Sequence, residues 1–176
     1  FGDTDLEFEA IALLGETQVA TGRVADGMKL LDQAMAALER AHPGRYRLRW
    51  AGVGPLADDV SRRAAALGIE DRIELVGYVP FGPKLLALYR EAHAFVHVSL
   101  TEGVPQVLAE ALASGTPVLA TDVGGVAAAL EHGRAGLLVP PSSLEPLTEA
   151  VLRLSDDEEL RAQLVRRGLE LARERT

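Results

Sequence analysis

Short apolar runs alternate with helical stretches from Tyr46 to Pro141, and this alternation constrains the fold more than any composition figure. Arg47-Leu48-Arg49-Trp50-Ala51-Gly52, Ile73 to Val79, Ala94-Phe95-Val96-His97-Val98-Ser99, Pro117-Val118-Leu119-Ala120-Thr121 and Gly136-Leu137-Leu138-Val139-Pro140 each read as a strand. Leu56 to Leu67 and Pro83 to Ala92 read as helices, and further helices separate the later strands. A parallel neighbour needs a crossover, so strand–helix alternation predicts an α/β fold: a Rossmann-like parallel sheet with helices on both faces. Binding loops are then expected at the carboxyl ends of the strands.

One such end carries Thr101-Glu102-Gly103-Val104-Pro105-Gln106-Val107-Leu108-Ala109-Glu110, which sets two carboxylates eight positions apart. Gly103 and Pro105 let the chain turn into a helix whose free N–H groups and positive dipole end favour an anion. Glu110 is expected about two turns along that helix, roughly 12 Å further on. A phosphate on the helix start, with carboxylates reaching hydroxyl groups on either side, suits a sugar on one side and a ribose on the other. The pattern suits a nucleotide sugar.

This stretch resembles the Glu-x7-Glu signature of retaining, two-domain (GT-B) glycosyltransferases of family 4, the glycosyl transferases group 1. The resemblance continues in order through Gly115-Thr116-Pro117-Val118, Asp122-Val123-Gly124-Gly125 and Gly136-Leu137-Leu138-Val139-Pro140-Pro141. It implies that this chain is the carboxyl-terminal, donor-binding half of such an enzyme, with the acceptor held by an amino-terminal domain absent from the chain. The isolated chain is then expected to be incomplete and inactive in transfer. The resemblance also implies that Glu102 contacts the donor sugar and stabilises positive charge as the bond to the diphosphate breaks, and that Glu110 accepts the ribose hydroxyls. Backbone amides of Gly103, Val104, Pro105, Gln106, Val107 and Leu108 form the expected sugar and phosphate cradle, Pro105 itself lacking an N–H. Gly52 and Gly54 turn the chain near the nucleotide, and Tyr78 and Val79 lie in the loop expected to touch the base. No cofactor and no metal is implied. One departure stands out, since the family's common Pro-Glu pair after Gly124-Gly125 is replaced by Ala127-Ala128.

Residues 1–40 support two readings, set apart from a domain at 41–176. In the first, Val19-Ala20-Thr21-Gly22-Arg23-Val24 is the family's first strand ending in Gly-Arg, and Arg23 is a diphosphate cation. The expected second cation is displaced, because Lys29 falls within the helix that follows. In the second, Leu14-Gly15 through Gly27 and Ala34 resembles one tetratricopeptide-type helix hairpin, with Gln18 where a Tyr is common. Helical spacing of Ala10, Leu13, Leu14 and Thr17 favours the hairpin, which would replace the first strand of the sheet and dock on it or on a partner.

Other chemistry has weaker support. Gly52-Val53-Gly54-Pro55-Leu56-Ala57 mimics a dinucleotide fingerprint, but its Pro lacks an N–H for a pyrophosphate and the oxidoreductase reading leaves the glutamates unexplained. His93 and His97 bridge a helix end and a strand, so helical metal-ligand spacing does not apply, and Ser99 sits on no nucleophile elbow. A net charge of −8 argues against a broad nucleic-acid surface, and the arginines of 161–175 are interleaved with acids as on a solvated face. The absence of cysteine and of any long apolar run fits a cytoplasmic protein without a membrane span. The alternative function is a non-catalytic interaction or regulatory module that keeps the sugar-nucleotide fold.

Overall fold

The computed structural model describes residues 8–13, 22–53 and 57–175, with backbone alone at 11, 13 and 22–25. Its strands are β1 (Phe8–Leu13), β2 (Tyr46–Ala51), β3 (Ile73–Gly77), β4 (Ala94–His97), β5 (Val118–Thr121) and β6 (Leu137–Val139). They pair in parallel in the order β3-β2-β1-β4-β5-β6. The helices are α1 (Gly22–Ala41), α2 (Ala57–Leu67), α3 (Pro83–Glu91), α4 (Gln106–Ser114), α5 (Val126–Ala129), α6 (Leu144–Asp156) and α7 (Glu158–Glu174). The strands expected from the sequence recur within about two residues of their bounds, the usual uncertainty of element ends.

Two apolar layers hold the sheet. On one face Phe8, Ala10 and Ala12 of β1 and Tyr46, Leu48 and Trp50 of β2 meet α1, α2 and α6 through Leu31, Met35, Val60, Leu147 and Leu154. On the other, Phe95, Val118 and Ala120 meet α3, α4, α5 and α7 through Leu85, Tyr89, Leu108, Val126 and Leu171. All residues of β4 and β5 are buried, as expected of parallel strands covered on both sides, whereas β2 largely alternates. Arg49, on the polar face of β2, is ringed by Glu9, Glu74 and Glu91.

The helical reading of the amino-terminal segment is corrected at 8–13. Those residues form the strand between β2 and β4, with six register pairs to β2. Helical spacing there competes with an alternation that buries Phe8, Ala10 and Ala12, and hydrogen bonding to two neighbours decides for the strand. The first strand is therefore present and lies earlier than the Val19–Val24 placement. Gly22, Arg23 and Val24 open α1 instead of closing a strand, and residues 14–21 of the hairpin reading lie outside the described residues.

One buried pair escaped the sequence reading. Asp32 of α1, 1% exposed, accepts from Arg63 Nε of α2 at 2.7 Å and ties the two helices. Burial pushes the Asp32 carboxyl above its ordinary range, and the Arg63 guanidinium opposes this. At the carboxyl end, Asp157 caps α7 by accepting from the Leu160 N–H at 2.8 Å.

Candidate functional site

The strand order reverses between β1 and β4, and the helices that follow these strands, α1 and α4, pack on opposite faces of the sheet, which leaves a crevice at the strand ends. Both helices turn their amino-terminal ends toward it. The approach of α1 is close: a Cβ on Gly27 would lie 2.6 Å from the Val98 carbonyl oxygen, just beyond β4. Only glycine lets this helix press so near the strand end.

Glu102 stands on the loop from β4 to α4, and several neighbours brace that loop. Thr121, buried at the end of β5, extends the sheet by accepting from Ser99 N–H at 2.9 Å and donating to Ser99 carbonyl at 2.6 Å. The Ser99 hydroxyl donates to the Thr101 carbonyl at 3.1 Å and so braces the loop. His97, 9% exposed, brings Nε2 to 3.2 Å from Glu102 Oε1, although the approach is too bent for a well-formed hydrogen bond. Burial pushes the His97 imidazole below its ordinary value, and Glu102 partly opposes it.

Gly124 and Gly125 supply the floor of this loop. A Cβ on Gly124 would fall 1.8 Å from the Glu102 carbonyl oxygen, and one on Gly125 would fall 2.6 Å from the Gly103 oxygen. Gly125 N–H donates to that same Gly103 oxygen at 2.8 Å. Gly124 also has φ +53°, so both space and conformation call for glycine here.

Helix α4 begins at Gln106, later than the sequence reading placed it. Glu110 therefore lies on its second turn, about 6 Å from the start and not 12 Å. No side chain caps the helix, which leaves its first amides toward the crevice, but the Leu108 N–H is taken by the Pro105 carbonyl at 3.2 Å. Leu108 itself is core. Glu110 accepts a hydrogen bond from the buried Tyr89 hydroxyl at 3.1 Å. The sequence does not announce Tyr89 as a partner of Glu110, because that contact joins two different helices, whereas His97 lies only a short loop away from Glu102.

The remaining residues distribute around the crevice. Arg23 is the second residue of α1, with its side chain outside the described atoms, and Lys29, further along that helix, is exposed beside Asp26. Gly52 follows β2 with φ +130° and donates to the Gly77 carbonyl at 2.8 Å, while Gly54 lies outside the described residues. Gly52 and Gly77 border an apolar hollow of about 260 Å³ that includes Trp50, Val60 and Leu75. Tyr78 is 57% exposed and Val79 is buried. Val104, 71% exposed, extends from the Glu102 loop. Among the described residues no helix is long and apolar enough to cross a membrane, and no His, Asp and Glu cluster has metal-holding geometry.

Comparison with known proteins agrees with this architecture. The profile of the family "Glycosyl transferases group 1" matches residues 15–157. The chain is 38% identical over 153 residues to an exopolysaccharide phosphotransferase of Streptomyces coelicolor, covering 85% of the chain and 16% of that protein. It is 35% identical to the D-inositol 3-phosphate glycosyltransferase of Corynebacterium glutamicum, covering 96% of the chain and 40% of that protein. Among solved structures, the sucrose-phosphate synthase of Thermosynechococcus elongatus superposes with a TM-score of 0.74 at 27% identity, over 95% of the chain and 41% of that structure. Anabaena HepE in complex with UDP-glucose superposes with a TM-score of 0.81 at 21% identity, over 96% and 44%. The chain thus spans less than half the length of each of these proteins.

Proposed function

The chain belongs to the glycosyl transferases group 1 family, and from that premise we propose that it is the donor-binding half of a retaining glycosyltransferase. It binds a nucleoside diphosphate sugar in the crevice between β1 and β4, and a partner domain holds the acceptor. The observation that carries this reading is the pair of glutamates flanking the open start of α4, Glu102 beside the buried His97 and Glu110 held by the buried Tyr89 hydroxyl.

In this reading the diphosphate rests on the start of α4, whose amides and dipole neutralise negative charge. Glu110 accepts the ribose hydroxyls, and Glu102 lies beside the sugar on the phosphate's other flank. As the sugar C1–O bond breaks toward the diphosphate, negative charge grows against the helix start and positive charge grows near Glu102. The acceptor oxygen forms the new C1 bond on the face the diphosphate leaves, which retains configuration. The proton of the acceptor passes to the departing diphosphate. Arg23, on the first turn of α1, is the cation that the family resemblance implies for the diphosphate, and no step in this scheme requires a metal. Gly52, Tyr78 and Val79 lie at the carboxyl ends of β2 and β3, the side of the crevice assigned to the base.

Calorimetric titration with UDP, GDP, UDP-glucose, GDP-mannose and NAD tests the reading. A nucleoside diphosphate or its sugar is expected to bind, and Glu110→Gln is expected to weaken it by about 1.5 to 3 kcal/mol, the range for hydrogen bonds to a charged group. Preferential binding of NAD, or an affinity indifferent to Glu110→Gln, would overturn it.

A further inference from the structure

Tyr89 reaches Glu110 from a position with little freedom. It is fully buried on α3, its ring meets Phe95 of β4 edge-on with centroids 5.4 Å apart, and its backbone carbonyl accepts the Thr116 hydroxyl at 2.7 Å. The Tyr89 hydroxyl lies 3.1 Å from Glu110 Oε2 and 3.5 Å from the Val107 carbonyl. With one proton and two acceptors, the carboxylate is the stronger competitor. Burial, and then the nearby Glu110, push the ionisation of Tyr89 well above the ordinary phenol value, so the hydroxyl stays a donor through the physiological range.

The consequence concerns one orientation of one carboxylate. Glu110 is only partly buried, and an untethered glutamate there would sample several rotamers. Ordering such a side chain on ligand binding costs roughly two- to twelvefold in affinity. A hydroxyl fixed by the core removes that cost before the ligand arrives. It occupies Oε2 and leaves Oε1 for a ligand donor.

We propose that Tyr89 is a positioning residue for nucleotide binding: it pins Oε2 of Glu110 so that the remaining oxygen meets the vicinal hydroxyls of a ribose. This makes the crevice selective for ribonucleotides over nucleotides that lack those hydroxyls. The proposal rests on the assignment of Glu110 to the ribose, and the two are separable by experiment.

The full chain and its variants Tyr89→Phe, Glu110→Gln and the double substitution are titrated with UDP or GDP and with the corresponding 2′,3′-dideoxynucleotide. Tyr89→Phe is expected to weaken ribonucleotide binding about three- to tenfold, to leave dideoxynucleotide binding unchanged, and to add nothing on the Glu110→Gln background. Equal weakening of both nucleotides would mean a merely structural role and overturn the proposal. So would a normal Tyr89→Phe alongside a weakened Glu110→Gln, which leaves the ribose assignment standing. If Glu110→Gln itself changes nothing, the assignment falls and the positioning role falls with it. Glu110→Asp covers a Tyr89→Phe that fails to fold: one methylene shorter, it keeps the charge but cannot hold the same bond. It is expected to lose the ribose discrimination, and retained discrimination would refute the role of Tyr89.

Discussion

Gly124→Ala puts the support of the Glu102 loop to a quantitative test. The added methyl would lie 1.8 Å from the Glu102 carbonyl oxygen, whereas real Cβ contacts essentially never fall under 3.0 Å, so the two segments must part by about 1.2 Å. Parting on that scale breaks the neighbouring hydrogen bond from Gly125 N–H to Gly103 carbonyl, now 2.8 Å, at a cost of about 0.5–1.5 kcal/mol. Alanine at φ +53° adds strain of about 1–2 kcal/mol. Gly68→Ala is the matched control, because Gly68 has φ +68° and nothing within 4 Å of its added Cβ, so it carries the strain alone. Urea unfolding is expected to show Gly124→Ala less stable than wild type by about 1.5–3.5 kcal/mol and less stable than Gly68→Ala by about 1 kcal/mol. The functional effect is larger than the structural one, since a displacement of about 1 Å exceeds the roughly 0.5 Å within which a working constellation must be held. Nucleotide-sugar affinity should therefore fall in Gly124→Ala and persist in Gly68→Ala. Equal stabilities and unchanged affinity for the two variants would refute the reasoning.

Two further outcomes concern the fold. Asp32→Ala should cost about 2–3 kcal/mol in urea unfolding, below the usual 3–5 for breaking a buried pair because Arg63, 24% exposed, can turn to water; a loss under about 1 kcal/mol would contradict it. The pH response follows from His93 and His97. His93 Nδ1 accepts from Glu9 N–H at 3.1 Å, which protonation would break, and burial pushes both imidazoles below the ordinary value of 6.5, with Arg161 adding to the effect on His93. The unfolded chain takes up these protons first, so stability should be full above about pH 6.5 and fall as pH drops toward the folded values, with a slope approaching 1.4 kcal/mol per pH unit for each group. The raised carboxyls of Asp32 and Glu9 act in the opposite sense, adding stability as pH falls through their raised values. A flat stability between pH 7.5 and 5.5 would be inconsistent with neutral histidines in the fold.

Those elements whose information is local were legible in the chain itself. The apolar runs of β2 to β6, the helices between them, and the Glu102–Glu110 stretch at a strand end follow from periodicity, turn residues and capping, all read within a dozen positions. The family resemblance carried by Gly115-Thr116-Pro117-Val118 and the later glycines is equally a property of order along the chain. Sequence also marked Gly124-Gly125 as a motif, though not what presses on it.

Tertiary structure decided what depends on partners far away in sequence. Phe8–Leu13 is compatible with either period, and it is a strand because its backbone pairs with Tyr46–Ala51 on one side and with Ala94 and Phe95 on the other. The same holds for the site. Tyr89 meets Glu110 only because α3 and α4 pack side by side. Helix α4 starts one residue after Pro105, which moves Glu110 closer to the helix start than its spacing from Glu102 alone implied. Local sequence sets which conformations a segment can adopt at low cost. Burial of one face and pairing of buried polar groups, which require the whole chain to be in place, select among them.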